Sequence, residues 1–213
     1  MPGRPNRYQR IAPFYDLLDL PFEFGRYRKL RPMLFEGLGG RVLDAGVGTG
    51  RNIPFYPADT EMLGIDASAA MLARAEHRRQ RLGRGVALRQ MDLTRLDLAD
   101  ASFDAAVASF VFCVLPEPDQ VPALRELGRV VCPGGRIRLL EYVRPHGRVR
   151  RAIARAWEPW MAWAYGAGFD RNTEAHIPEA GLELAWAEDA VPDLIRFLEL
   201  KVPAGPVRQG GVL

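Results

Sequence analysis

Val42-Leu43-Asp44-Ala45-Gly46-Val47-Gly48-Thr49-Gly50 decides how this chain folds. Arg41 to Asp44 reads as a short strand, and three glycines at alternate positions carry the chain from that strand towards a helix. Glycines at 46, 48 and 50 allow a sharp turn and let a ligand approach the backbone without a Cβ in the way. A dinucleotide fingerprint would require a further glycine at 51, where this chain has Arg51. An acid, Asp44, stands two residues before the first glycine. Such an acid can accept a hydrogen bond from an ammonium group, or order the turn through water, and its charge repels a pyrophosphate.

Working outward, Glu61 to Ile65 reads as a second strand, Ser68 to Leu82 as a helix capped by Ser68 and closed by Gly83, and Val86 to Gln90 as a third strand. Phe103 to Ser109 is nearly all apolar, as a strand covered on both faces should be. A helix over Asp119 to Val131 is expected to stop at Cys132-Pro133-Gly134-Gly135, before a fifth strand over Arg136 to Val143. Leu182 to Ala187 and Leu194 to Leu200 complete the sheet. Strands alternating with helices define the fold class: an α/β, Rossmann-like, doubly wound and mostly parallel seven-stranded sheet with helices on both faces. Before it, Tyr8, Ile11, Phe14, Tyr15 and Leu18 recur at helical spacing, and a second helix is expected over Phe24 to Gly37. The reading is a single domain over 1–213: a helical cap to residue 40, a core over 41–143, a helical lid over 144–181, strands within 182–202 and a loose tail over 203–213.

Two further acids fall at strand ends, where open α/β sheets bind ligands. Asp66 closes Leu63-Gly64-Ile65-Asp66 and can accept from both hydroxyls of a ribose. It also fits a helix N-cap, a task that Ser68 suits as well. Asp92, in Met91-Asp92-Leu93, can accept from an adenine amino group while Met91 and Leu93 pack on the ring. It also fits an ordinary loop acid.

With these motifs in order, the stretch from Arg41 to Val143 resembles the class I S-adenosylmethionine (SAM)-dependent methyltransferases, in particular their type 11 group. Phe103-Asp104-Ala105-Ala106-Val107 is similar to that family's fourth strand. Leu127-Gly128-Arg129-Val130-Val131-Cys132-Pro133-Gly134-Gly135 is similar to its helix-to-strand turn. The resemblance implies SAM as cofactor and S-adenosylhomocysteine (SAH) as product. It implies Asp44, Gly46, Gly48 and Asn52 around the methionine moiety and Asp66 on the ribose, with Gly50, Ala67 and Met71 also among the cofactor-binding residues. It further implies Met91, Asp92 and Leu93 at the adenine, and Ser109 with Phe110 beside the sulfonium.

The methyl acceptor is less well marked. Ser109-Phe110-Val111-Phe112-Cys113-Val114-Leu115-Pro116 lacks the polar residue and Pro-Pro-aromatic clamp of DNA and amide N-methyltransferases, which points to an apolar acceptor pocket. The leader Arg7 to Asp16 resembles that of quinone C-methyltransferases. Asn52 to Pro57, Glu141-Tyr142-Val143 and Gly168 to Thr173 resemble small-thiol methyltransferases, which are similar in turn to phospholipid N-methyltransferases. Relatives often carry a histidine after the glutamate of the fifth strand, and here it is Tyr142. Tyr8, Tyr15 and Glu141 are the candidate catalytic residues, although the tyrosines also fit helix packing and Glu141 fits a hydrogen-bond network at a strand end. The expected acceptor is a small or lipid-like thiol, amine or quinol-type molecule. A methyltransferase directed at RNA or protein, or a SAM-binding module without catalysis, is the alternative.

Composition bounds these readings. The chain has 213 residues and a formal net charge of +3, which does not call for nucleic acid as a partner. Cys113 and Cys132 form neither a disulfide framework nor a metal cluster, and His77, His146 and His176 are scattered, so no metal is expected. Met1 to Asn6 lacks the apolar core of a signal peptide, and no apolar run approaches the ~20 residues that span a bilayer. The expected location is the cytoplasm. Trp157, Trp160 and Trp163, with Arg148, Arg150, Arg151 and Arg155 upstream, read either as packing of a lid helix or as a peripheral contact with the inner membrane face.

Overall fold

The computed structural model of the protein describes residues 28–143, 147 and 172–204. The expected helix bearing Tyr8 and Tyr15, the tryptophan-rich segment and the tail from Gly205 lie outside these residues.

Seven strands form one sheet: β1 (Gly40–Ala45), β2 (Thr60–Asp66), β3 (Ala87–Gln90), β4 (Phe103–Ser109), β5 (Val131–Tyr142), β6 (Glu183–Val191) and β7 (Ile195–Lys201). Their order is β3-β2-β1-β4-β5-β7-β6. β1 to β5 run parallel, and the β6–β7 hairpin is antiparallel to β5 and within itself. The chain winds outward from β1 to β3, then returns to lay β4 on the other side of β1. The carboxyl ends of β1 and β4 therefore open a crevice at the point where the winding reverses, which is where such sheets receive ligands.

Strand alternation sorts the core into two layers. Leu43, Ala45, Ala106, Ala108, Ile137 and Leu139 face one side, where they meet Leu124 and Leu127 of α3 (Glu117–Val130). Val42, Ala105, Val107 and Leu140 face the other, with Ala75 of α2 (Ala69–Leu82) and with Leu34 and Phe35. Helix α2 begins where Ser68 Oγ accepts from Met71 N and ends at Gly83 in the left-handed conformation, both as read from sequence.

Four elements depart from the sequence reading. The strand expected over Leu182 to Ala187 runs on to Val191 as β6, paired along its length with β7. The helix expected over Phe24 to Gly37 is, in its described part, one α turn, α1 (Arg28–Leu30), followed by a 3-10 turn over Arg31–Leu34. Pro32 lacks the N–H that would continue an α ladder. Helix α3 starts two residues earlier, at Glu117, with Pro116 as its N-cap. No separate turn divides α3 from β5. Val131 already pairs with Phe103, and the Pro133-Gly134-Gly135 stretch is taken up as a bulge before Arg136 pairs with Ala105. Gly134 N donates to Val202 O and Val202 N to Gly135 O, which holds the bulge within the sheet. A short helix, α4 (Thr173–His176), precedes the final hairpin. Among the described residues no helix is long and apolar enough to cross a membrane.

Arg138 fastens the N-terminal turn to this frame. Its side chain is buried, with Nε donating to Glu199 Oε2 at 2.8 Å. Nη1 donates to the carbonyls of Met33, Leu34 and Glu36, which a 3-10 turn leaves unpaired. Arg138→Met is expected to strand these acceptors and destabilise the protein by about 3 kcal/mol. Thermal unfolding should show a midpoint lower by roughly 6–12 °C, and an unchanged midpoint would mean that the turn is held by other contacts.

Candidate functional site

The glycine turn is built by backbone docking onto β2. Gly46 N and Val47 N both donate to Ile65 O at 2.8 Å, and Gly48 N donates to Asp66 Oδ2 at 2.9 Å. The three glycines do different work. A Cβ on Gly46 would overlap the side chain of Val111 in the loop after β4, so that loop rests directly on the turn. A Cβ on Gly50 would lie 2.7 Å from Ile53 Cδ1 and 3.1 Å from Ala75 Cα, so this glycine serves close packing of the turn on α2. Gly48, at φ +55°, has among the described residues only Gly46 O at 4.0 Å beyond its α-carbon. Its face is open, as a backbone that receives a ligand requires.

Asp44, at the end of β1, is fully buried. Its carboxylate accepts from Asn52 Nδ2 at 3.0 and 3.2 Å and from Tyr56 Oη at 2.5 Å. Asn52 Nδ2 also lies 3.1 Å from Ser109 Oγ, while Arg31 Nη1 donates to Asn52 Oδ1 at 2.7 Å and to Ser109 Oγ at 3.3 Å. Five polar side chains from four segments thus share one buried network. Burial pushes the Asp44 carboxyl up to about 6, against the lowering pull of Tyr56, Asn52 and Arg31. Tyr56 is pushed well above its ordinary value by burial, reinforced by the Asp44 charge. Asp44 thus presents no exposed oxygen, and Asn52 and Tyr56 occupy its carboxylate.

Asp66 is half-buried at the end of β2. Oδ1 accepts from Ser68 N at 2.8 Å and Oδ2 from Gly48 N. Burial raises its carboxyl and the two N–H groups oppose that shift. The helix N-cap that the sequence also allowed for Asp66 is Ser68 instead. Each carboxylate oxygen can accept more than one hydrogen bond, so its contacts to the turn leave capacity for further donors. Asp92 is exposed and shapes its own turn, its Oδ1 accepting from Thr94 N at 2.9 Å and Thr94 Oγ1 at 2.7 Å. Met91 N donates to Asp66 O, which sets Met91 beside Asp66. Ala67 is exposed next to Asp66, while Met71 and Leu93 are buried and shape the floor.

The loop after β4 is apolar and tightly held. Phe110 has φ +57°, uncommon for a side chain with a Cβ. Its N–H donates to Leu140 O at 2.7 Å, its ring lies 5.0 Å from that of Tyr142, and the Arg31 guanidinium is 5.9 Å from its centroid. Glu141 is buried beneath the loop and accepts from Val111 N, Phe112 N and Cys113 N at 3.0, 3.1 and 2.9 Å. Burial pushes this carboxyl up to about 7, and the three N–H groups oppose the shift. Gln120 of α3 donates to Phe112 O and Leu115 O, and accepts from Thr173 Oγ1 of α4 at 3.2 Å. His176 lies 2.7 Å from Glu117, a contact between α4 and α3 at the protein surface.

The structure thus gathers Asp44, Gly46, Gly48, Asn52, Asp66, Met91, Ser109 and Phe110 on one edge of the sheet. Gly50 faces the helix packing instead, and Tyr8 and Tyr15 lie outside the described residues. Two members of the buried network, Arg31 and Tyr56, were not singled out from sequence. Tyr56 stood within the quoted Asn52 to Pro57 stretch, which was the signal to follow. Arg31 carried none, as one arginine among many. Among the described residues no group of three or more His, Cys, Asp and Glu is placed to hold a metal ion.

Comparison with known proteins agrees with this arrangement. Residues 42–135 match the family model described as a methyltransferase domain. A phosphatidylethanolamine N-methyltransferase of Cereibacter sphaeroides is 38% identical over 176 residues, covering 78% of this chain and 82% of that one. A ubiquinone/menaquinone biosynthesis C-methyltransferase of Syntrophotalea carbinolica is 35% identical over 167 residues, covering 73% and 69%. In fold, a protein of Pyrococcus horikoshii OT3 superposes with a TM-score of 0.72 at 17% identity, covering 91% of this chain and 97% of that one. The chain belongs to the class I SAM-dependent methyltransferases and is similar to their quinone and phospholipid branches.

Two expectations follow for the product SAH, whose adenosyl and amino acid parts match those of SAM. Gly50→Ala should lower stability by about 1–3 kcal/mol through overpacking. Gly48→Ala should cost only about 1–2 kcal/mol through its left-handed φ, yet weaken SAH binding far more, since its methyl group enters the open face. Thermal unfolding paired with calorimetry separates them, and equal affinity of Gly48→Ala and wild type would place the ligand elsewhere. The second concerns pH. A ligand ammonium favours ionised Asp44, so SAH affinity should rise with pH through about 6 and fall by up to about tenfold per unit below it. Asp44→Asn should weaken binding at pH 7 and flatten this dependence in calorimetry between pH 5 and 7.

Proposed function

We propose that the methyl acceptor is a small or lipid-like molecule with an apolar body, and that the amine of a phospholipid headgroup fits best. One observation carries this reading: the loop after β4 that rests on the glycine turn is apolar from Phe110 to Leu115, with Phe112 and Cys113 fully buried. It offers no polar side chain to grip an amide or a nucleobase. The similarity to the Cereibacter enzyme, named for phosphatidylethanolamine, supports an amine. The similarity to the Syntrophotalea enzyme supports a quinol-type carbon as a second reading.

The described residues fit SAM. Gly48 leaves backbone open to it, Asp66 retains acceptor capacity for ribose hydroxyls, and Asp92 is exposed just beyond the end of β3. Asp44 and Arg31 bring opposite charges to one network, matching the ammonium and carboxylate of an amino acid. When bound, SAM would supply a methyl group on a sulfonium, for in-line transfer to the acceptor's lone pair with neutral SAH as the leaving group. The protein's part is to hold donor and acceptor in register and to keep water out. Ser109, fixed by Arg31 and Asn52, and Phe110, fixed by Tyr142, form the wall where the acceptor would approach. An amine reaches reactivity by losing one proton, and a quinol by losing its phenolic proton, so neither demands a strong base. Tyr8 and Tyr15 are proposed to line the acceptor side from the N-terminal cap. Peripheral contact of the tryptophan-rich segment with the inner membrane face would bring a lipid acceptor within reach.

Vesicles of phosphatidylethanolamine and phosphatidylglycerol, incubated with SAM and protein, should yield SAH and N-methylated lipid by mass spectrometry. Demethylmenaquinol in the same vesicles tests the second reading. Methylation of RNA or protein with neither lipid class modified would contradict the proposal.

A further inference from the structure

Glu141 and Tyr142 are consecutive on β5, so their side chains leave opposite faces of the sheet. Both nevertheless end on the same loop. From the α3 side, Glu141 receives the N–H groups of Val111, Phe112 and Cys113. From the other side, the Tyr142 ring packs against Phe110, whose N–H is held by Leu140 O. Between these grips the chain passes through the left-handed Phe110 and then lays Val111 against Gly46. A carboxylate that accepts three successive amides from 28 to 30 residues away leaves little freedom for that loop to choose another path.

We infer that Glu141 is a positioning residue rather than a base: with Tyr142 it clamps the loop from Phe110 to Cys113, so that the loop's outer surface is set against the cofactor turn. This rests on the reading that Ser109 to Cys113 border bound SAM. The geometry also explains why a glutamate is required. An apolar side chain would leave three buried N–H groups unpaired, and a glutamine would set its own NH2 against one of them. A proton acceptor in catalysis must reach the substrate, whereas Glu141 is 3% exposed and lies under the loop backbone. Charged and titratable groups lie on the described elements packed around it. Cys113 is on the loop itself, and its thiol is pushed well above the ordinary value by burial and by Glu141. Arg196 of β7 is in register with Glu141 and pairs with Glu174 of α4 and Asp189 of β6. Glu117 and His176 join α3 to α4.

Amide NMR of the full-length 15N-labelled protein tests the clamp. In the wild type, SAH should shift the amides of Ser109 to Cys113. Without SAH, the amides of Val111, Phe112 and Cys113 should share one titration between pH 5 and 8.5, because one carboxylate serves all three. Glu141→Gln should abolish that shared titration and weaken SAH binding roughly tenfold or more. With phosphatidylethanolamine vesicles as acceptor it should lower kcat more than it raises the acceptor KM. A variant that lost turnover with SAH affinity and loop amide shifts intact would make Glu141 a base and overturn the inference. SAH that moved the loop amides equally in wild type and Glu141→Gln would overturn the clamp alone, whereas SAH that left the wild-type amides unmoved would overturn the site placement beneath it. Should Glu141→Gln fail to fold, the wild-type amides decide: three amides titrating independently, or amides of Val111 to Cys113 that exchange with solvent as fast as an unprotected loop, would contradict the clamp.

Discussion

A carboxylate with no exposure to solvent, Asp44 at the end of β1, is the constraint around which this site is organised. A buried charge is costly unless it is paired and hydrogen-bonded. Asp44 meets that condition by drawing the Asn52 amide and the Tyr56 hydroxyl onto its oxygens. Asn52 in turn holds Arg31 from the N-terminal turn and Ser109 from the end of β4. Four segments that are distant in sequence are thereby locked at the one place where the winding of the sheet reverses. Arg138 fixes the same N-terminal turn from below, so Arg31 reaches the site on a rigid support.

The glycine turn and the loop after β4 form a second layer that leans on this network. Asp66 receives Gly48 N, and Val111 packs on Gly46, so the glycine turn is braced from both sides. Much of the polar capacity at this edge serves the protein itself. Asp44 supports Asn52, Glu141 supports the loop, and Asp92 Oδ1 supports its own turn. What remains directed outward is backbone at Gly48, spare acceptor capacity on Asp66 and the apolar surface of Phe110. That division suits an enzyme whose work is alignment of two reactants rather than proton transfer.

The sequence made the sheet legible because its signals are local. Phe103 to Ser109 is bounded in the structure as its apolar run indicates, and Ser68 and Gly83 cap α2 as their residue types require. The acids at positions 44, 66 and 92 were legible as strand-end groups for the same reason. What could not be read depends on contacts across the chain. Arg31 meets residues 21 and 78 positions away, and nothing distinguishes it in sequence from the other arginines. Glu141 looked equally suited to catalysis and to support, and its three contacts with the backbone of residues 111–113 could not be read from sequence. The Cys132-to-Gly135 stretch read as a stop, yet hydrogen bonds with Val202, some 70 positions away, fold it into the sheet as a bulge. Gly50 looked like a ligand contact because glycine spacing alone cannot tell open space from the approach of Ala75.

A crystal structure of the complex with SAH is the most direct test of the site. The ribose hydroxyls should lie within hydrogen-bond reach of Asp66, the homocysteine backbone should cross the open face of Gly48 with its ammonium on the Asn52 side, and the sulfur should point towards Ser109 and Phe110. SAH bound away from the carboxyl ends of β1 and β4, or bound there with Asp66 turned away from the ribose and Gly48 uncovered, would contradict the assignment.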